Sequence, residues 1–162
     1  MPIIFLDIDG VLNRKIPFSK QTGRRVDHDL LARFVRLVER TGAEVALAST
    51  WRHDPAGLED ARRFGVPFQD VLPDLRPQSR ATEIEFWLQN HNFSGRYAVL
   101  DDDDDGYDAL PLFQPDPVHG LSPKIASAVE AYLKGERRSD FRRNVLVRAL
   151  QTIRAVAFGH RG

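Results

Sequence analysis

Asp7 and Asp9 stand one residue apart in the stretch FLDIDGVLN, directly after an apolar run. Two carboxylates are costly at the end of a buried strand unless they face a metal, a hydrogen-bond donor or solvent, so their position marks a site. Residues two apart in an extended chain project to the same side. A carboxylate there can attack phosphorus if a cation screens its charge from the phosphate, a role that fits Asp7. Asp9 is then placed to give a proton to the leaving oxygen and later to take one from water.

A second acidic group, Asp101 to Asp105 followed by Gly106, also comes straight after an apolar run. Magnesium accepts octahedral oxygen ligands and keeps several waters, so Asp7, the Asp9 carbonyl and Asp102 suffice to hold it. Asp101 or Asp105 can support that set or take the place of Asp102, because five consecutive aspartates do not show by spacing which one turns inward. The phosphate needs donors too. Ser49 offers a hydroxyl and Thr50 and Trp51 offer backbone N–H groups in a turn, while Arg80 at a helix start supplies positive charge. Lys124, also at a helix start, competes with Arg80 for that role.

The elements that would position these residues follow from periodicity. Ile3 to Leu6 and Val45 to Ala48 read as short buried strands, with a helix between them that Asp27 or Asp29 caps and Gly42 ends. Residues 14–26 form a loop or small hairpin. A short helix at Leu58 to Phe64 and an irregular or weakly extended stretch from Val66 to Leu75 precede a helix from Ser79 to Asn90, with Ile84, Trp87 and Leu88 inward. Tyr97 to Leu100 is a further strand, Leu110 to Phe113 another, and Ser122-Pro123 opens a helix that Gly135 ends. Alternating strands and helices imply a three-layer α/β/α, Rossmann-like fold around a mainly parallel sheet. Ligands of such folds gather beyond the carboxyl ends of the strands, where all three polar clusters fall.

At 162 residues the chain is long enough for one sizeable core. Having no cysteine, it has neither disulfides nor thiolate metal sites. With no basic, apolar leader at the start and no membrane-length apolar run, it reads as a soluble cytoplasmic protein. The 23 basic and 23 acidic residues balance. They are unevenly spread: from Glu136 to Gly162 seven arginines face only Glu136 and Asp140. The expected division is therefore a catalytic unit over 1–135 and a basic amphipathic helix over 136–162 that packs on that unit or on a partner.

DIDGVLN, VALAST, SRATEIEFWL and VLDDDDDG, in that order, resemble the four motifs of the haloacid dehalogenase superfamily of phosphohydrolases. The likeness runs over about residues 3–125. It implies the HAD-like fold, a magnesium cofactor, Asp7 as nucleophile, Asp9 as the second aspartate typical of phosphatases, Ser49 at the second motif and Arg80 at the third. Two positions depart from the pattern: Val11 stands where many members have Thr, and Arg80 where Lys is common. STWR together with PDPVHGLSP is similar to small capless members, including domains attached to RNA-repair proteins. Neither 14–26 nor 53–78 has room for an inserted cap, so an open site is expected, suited to a phosphate on a macromolecule such as a nucleic-acid end. A small-molecule nucleotidase and a non-catalytic phosphate or nucleic-acid binding module are the alternatives. Arg52 and His53 flank the site as candidate substrate contacts, and Trp51 belongs to the core margin or stacks on a base. Oligomeric state is left open.

Overall fold

The computed structural model describes residues 1–16 and 23–136. The basic segment expected as a C-terminal helix lies outside these residues, apart from Glu136. Among the described residues five parallel strands form one sheet: β1 (Ile3–Leu6), β2 (Glu44–Leu47), β3 (Asp70–Val71), β4 (Tyr97–Leu100) and β5 (Leu112–Phe113), in the order β3-β2-β1-β4-β5. The chain first builds outward from β1 through β2 to β3, then crosses back to place β4 on the other side of β1. The order reverses between β1 and β4, and that is where an open parallel sheet presents a crevice to ligands.

β1 is apolar at every position because both faces of the sheet are covered. Ile4 and Leu6 join Phe34 and Leu37 of α1 (His28–Thr41), Ala61 of α2 (Pro55–Arg63) and Val129 and Leu133 of α4 (Pro123–Lys134) in one core. Ile3 and Phe5 point the other way, against Ile84 and Trp87 of α3 (Arg80–Asn90). Phe5 is fully buried, and its ring meets Trp87 edge-on at 5.4 Å and Tyr97 at 5.8 Å. Truncating such a residue to alanine typically costs about 3–5 kcal/mol.

The helices begin and end by local chemistry. Ser79 and Ser122 accept hydrogen bonds from Thr82 N and Ile125 N at the starts of α3 and α4, and Pro123 occupies the first turn of α4. α1 ends on Gly42 at φ 62°. Asp27 sits at the N-cap of α1 but makes no side-chain cap hydrogen bond. Its carboxylate instead binds the Arg14 backbone N–H and the guanidinium groups of Arg14 and Arg25, closing the base of the loop after β1. The stretch from Val66 to Leu75, read as irregular or weakly extended, contributes β3, which adds to the sheet edge beside β2. Among the described residues no helix is long and apolar enough to cross a membrane.

Candidate active site

The carboxyl ends of β1 and β4 open into a cleft of about 330 Å³ lined by Asp7, Asp9, Lys15, Thr50, Arg80 and four of the aspartates following β4, namely Asp101, Asp102, Asp103 and Asp105. Adjacent strands in register bring this about: Leu6 pairs with Leu100, so the residues that follow, Asp7 and Asp101, leave the sheet side by side. The Asp7 N–H donates to the Leu100 carbonyl at 2.8 Å, prolonging the pairing by one residue.

The chain must then turn sharply, and Gly10 makes that turn at φ 81°. It also lets Asp102 approach, since a Cβ at position 10 would lie 2.4 Å from Asp102 Oδ2. Asn13 locks the turn by accepting from Gly10 N at 3.0 Å and donating to Asp9 Oδ1 at 2.8 Å. Trp51 Nε1 donates to the other Asp9 oxygen at 2.9 Å. Asp9 is thus fixed from two directions, while each oxygen retains a second lone pair for a proton. Trp51 is buried, with 4% of its surface accessible, and so offers no open face for a base to stack on.

Arg80 lies between the two strand ends. Its Nη1 is 3.3 Å from Asp7 Oδ1 and 3.1 Å from Asp101 Oδ2, and all three side chains are largely buried. The Arg80 backbone N–H donates to Asp105, which makes Asp105 a brace for the start of α3. Lys124, the competing cation, is exposed in the first turn of α4 and does not line the cleft. Ser49 is fully buried, and its hydroxyl accepts from Trp51 N at 3.4 Å at the head of the 3-10 turn Thr50–His53, leaving Thr50 as the member of the pair at the cleft wall. Arg52 faces inward rather than toward a substrate: it donates to the Ala48 and Ser49 carbonyls and is ion-paired with Glu83, both side chains being almost wholly buried. His53 lies 3.8 Å from Asp74, and like Arg52 it is absent from the cleft wall.

The electrostatics follow from burial. Asp7 is pushed up to about 7 by removal from water, with Asp101, Asp9 and Asp102 adding repulsion and Arg80 opposing it. Burial likewise raises Asp101, against the pull of Arg80, the Asp103 N–H and the Tyr107 hydroxyl. That hydroxyl donates to Asp101 Oδ2 at 2.8 Å, and burial pushes the phenol well above its ordinary range, keeping it a donor.

Oxygens of Asp7, Asp101 and Asp102 come within 4.8 Å of one another. Three hard carboxylate donors fit a small divalent cation such as magnesium, which relieves the repulsion that burial intensifies. His53, Asp74 and Glu83 also approach within 4.8 Å, but Glu83 is already engaged by Arg52 and the Leu75 N–H.

Sequence reasoning did not single out Lys15, Asn13 or Tyr107. Asn13 carried a faint signal, a side-chain amide four residues after Asp9. Lys15 and Tyr107 carried none, because their roles depend on contacts across the sheet edge.

Comparison with curated proteins and with solved structures gives no match. A family model does match, over residues 3–126, and its description is HAD domain in Swiss Army Knife RNA repair proteins. The span takes in all five strands, the cleft and the first turn of α4, so the chain belongs to this family of HAD domains.

Proposed function

We propose that this chain is a magnesium-dependent phosphatase that works through an aspartyl-phosphate and acts on a phosphate presented by a macromolecule, a nucleic-acid end in particular. The observation that carries the reading is the buried Asp7 carboxylate in an open cleft, with Arg80 at 3.3 Å and the oxygens of Asp101 and Asp102 within 4.8 Å. The family supports phosphohydrolase chemistry, and its RNA-repair setting supports the substrate class.

In this scheme an Asp7 oxygen attacks phosphorus, the bond from phosphorus to the leaving oxygen breaks, and Asp9 passes its proton to that oxygen. Water then gives a proton to Asp9 and attacks the phosphorus of the acyl phosphate, releasing inorganic phosphate and restoring the Asp7 carboxylate. Arg80 holds Asp7 in place and balances the charge of Asp7 and Asp101. Thr50 at the cleft wall offers its hydroxyl to the phosphate. Asp7, Asp102 and the Asp9 carbonyl would hold magnesium, with Asp101 beside them. When bound, the ion supplies the positive charge that lets an anionic nucleophile meet an anionic phosphate. We take residues 1–135 as the catalytic unit and the unit as capless: residues 53–78 hold only the end of the 3-10 turn, α2, β3 and their connections.

The test is phosphate release from an aryl phosphate, mononucleotides, 5′- and 3′-phosphorylated oligonucleotides and phosphopeptides, for wild type and Asp7→Asn. The expected result is release that requires magnesium and Asp7 and is fastest on an oligonucleotide end. Faster release from mononucleotides overturns the substrate class. No release from any substrate overturns the enzyme.

A further inference from the structure

Among the described residues the cleft holds two cations beside its carboxylates, and they are built differently. Arg80 is buried and shared between Asp7 and Asp101. Lys15 comes from the loop after β1, its side chain half-exposed, with Nζ 2.6 Å from Asp102 Oδ2. The Asp102 side chain is only 7% accessible, so this ammonium is the charge that faces its carboxylate. Asp102 is also one of the three residues whose oxygens converge within 4.8 Å.

The base of Lys15 is fixed although its tip is not enclosed. Its backbone N–H donates to the Pro117 carbonyl at 2.8 Å. On one side of it Arg14 is clamped by Asp27 and Asp29, and beyond that Asn13 is tied to Gly10 and Asp9. The stem is thus anchored at the cleft wall while four methylenes leave the ammonium free to swing.

We propose that Lys15 is a tethered counter-ion that occupies Asp102 in competition with a divalent cation, so that metal binding displaces the ammonium from Asp102 into the cleft mouth. The inference rests on the metal-site reading of the three aspartates. A divalent ion offers Asp102 twice the charge and bonds to Asp7 as well, whereas the ammonium offers one charge on a flexible arm. Lys15 therefore weakens metal binding without abolishing it, and it partners Asp102 whenever the metal is away.

The experiment is calorimetric titration of the full chain with manganese, a probe of the same hard-oxygen class as magnesium. Lys15→Met keeps the aliphatic stem and removes the charge. Lys134→Met removes a charge that pairs with Glu130 at the far end of α4, away from the cleft. Lys15→Met is expected to bind manganese about fivefold more tightly, the factor set by losing one partly exposed ion-pair partner, while Lys134→Met matches wild type. Folding of each variant is checked by its melting curve in EDTA, where Lys15→Met is expected to melt cooperatively and no higher than wild type.

Equal or weaker manganese binding by a folded Lys15→Met overturns the proposal, as does equal tightening in Lys134→Met. Binding by wild type and Lys15→Met alike, lost in Asp102→Asn, leaves the metal site standing and sinks Lys15 alone. Binding by neither sinks both.

Discussion

Replacing Asp7 with asparagine is expected to stabilise the metal-free protein while abolishing turnover. The Asp7 side chain is 9% accessible, and burial first, then Asp101, Asp9 and Asp102, push it from 3.8 to about 7 despite Arg80. A carboxyl whose folded value is raised contributes its full stability below the unfolded value, and that contribution is lost as pH rises through the folded value. A shift of about three units corresponds to a ceiling of about 4 kcal/mol above pH 7, and to about 2 kcal/mol at pH 5. Asparagine has no charge to desolvate, so it removes this penalty. Part of the gain is returned because Arg80 loses one of its two carboxylate partners.

The expected outcome in EDTA at pH 8 is a melting temperature for Asp7→Asn several degrees above wild type, the difference shrinking by at least half at pH 5. Magnesium should close the gap from the other side by raising wild type more than the variant. Thermal melts followed by circular dichroism, at both pH values and with and without the ion, measure all four numbers. A variant that melts below wild type at pH 8 would refute the reasoning, showing that the Arg80 pair outweighs the cost of burial. A gap that does not change with pH would refute it too.

Three further expectations concern the residues around Asp7. Gly10→Ala forces a side chain into φ 81° and onto Asp102, so a loss of about 1–2 kcal/mol of stability should accompany a clear rise in the magnesium concentration that gives half-maximal phosphate release; unchanged magnesium dependence would mean that Asp102 yields freely. Trp51→Phe replaces the indole with a smaller ring and removes the N–H that Asp9 accepts, a hydrogen bond worth about 1–3 kcal/mol, and should lower kcat about tenfold or more with little change in KM; a change confined to KM would place Trp51 at the substrate instead. Arg52→Met strands Glu83 in a buried position and should cost about 3–5 kcal/mol, read as a lower urea midpoint at an unchanged slope; a midpoint near wild type would mean that Glu83 takes up a proton at little cost.

Much of this arrangement was legible because parallel strands advertise themselves. IIFL and YAVL are short apolar runs that each end in aspartate, and both are central strands of the sheet. Ser79 before Arg80, and Ser122 before Pro123, mark helix starts by capping chemistry that is local in the chain. β3 was not legible as a strand, since two residues, Asp70 and Val71, carry no periodicity and pair only because β2 leaves an edge. Within the run of five aspartates, spacing could not separate Asp101, buried against Arg80 and Tyr107, from Asp105, which braces the first turn of α3. Arg52 read as a candidate substrate contact beside the site because its partner, Glu83, is 31 positions away.

That last pair has a mechanical consequence. Arg80 and Glu83 sit one turn apart on α3. The first grips the residues leaving β1 and β4, and the second grips the turn that follows β2 through Arg52, while also accepting from the Leu75 N–H. One turn of helix therefore bolts together three strand ends and the approach to α3. These loops cannot breathe one at a time: opening any of them strips partners from the others. Amide exchange should accordingly show Thr50–His53, Leu75 and the start of α3 releasing their protons as a single unit with one shared opening energy, a frame assembled before any substrate arrives.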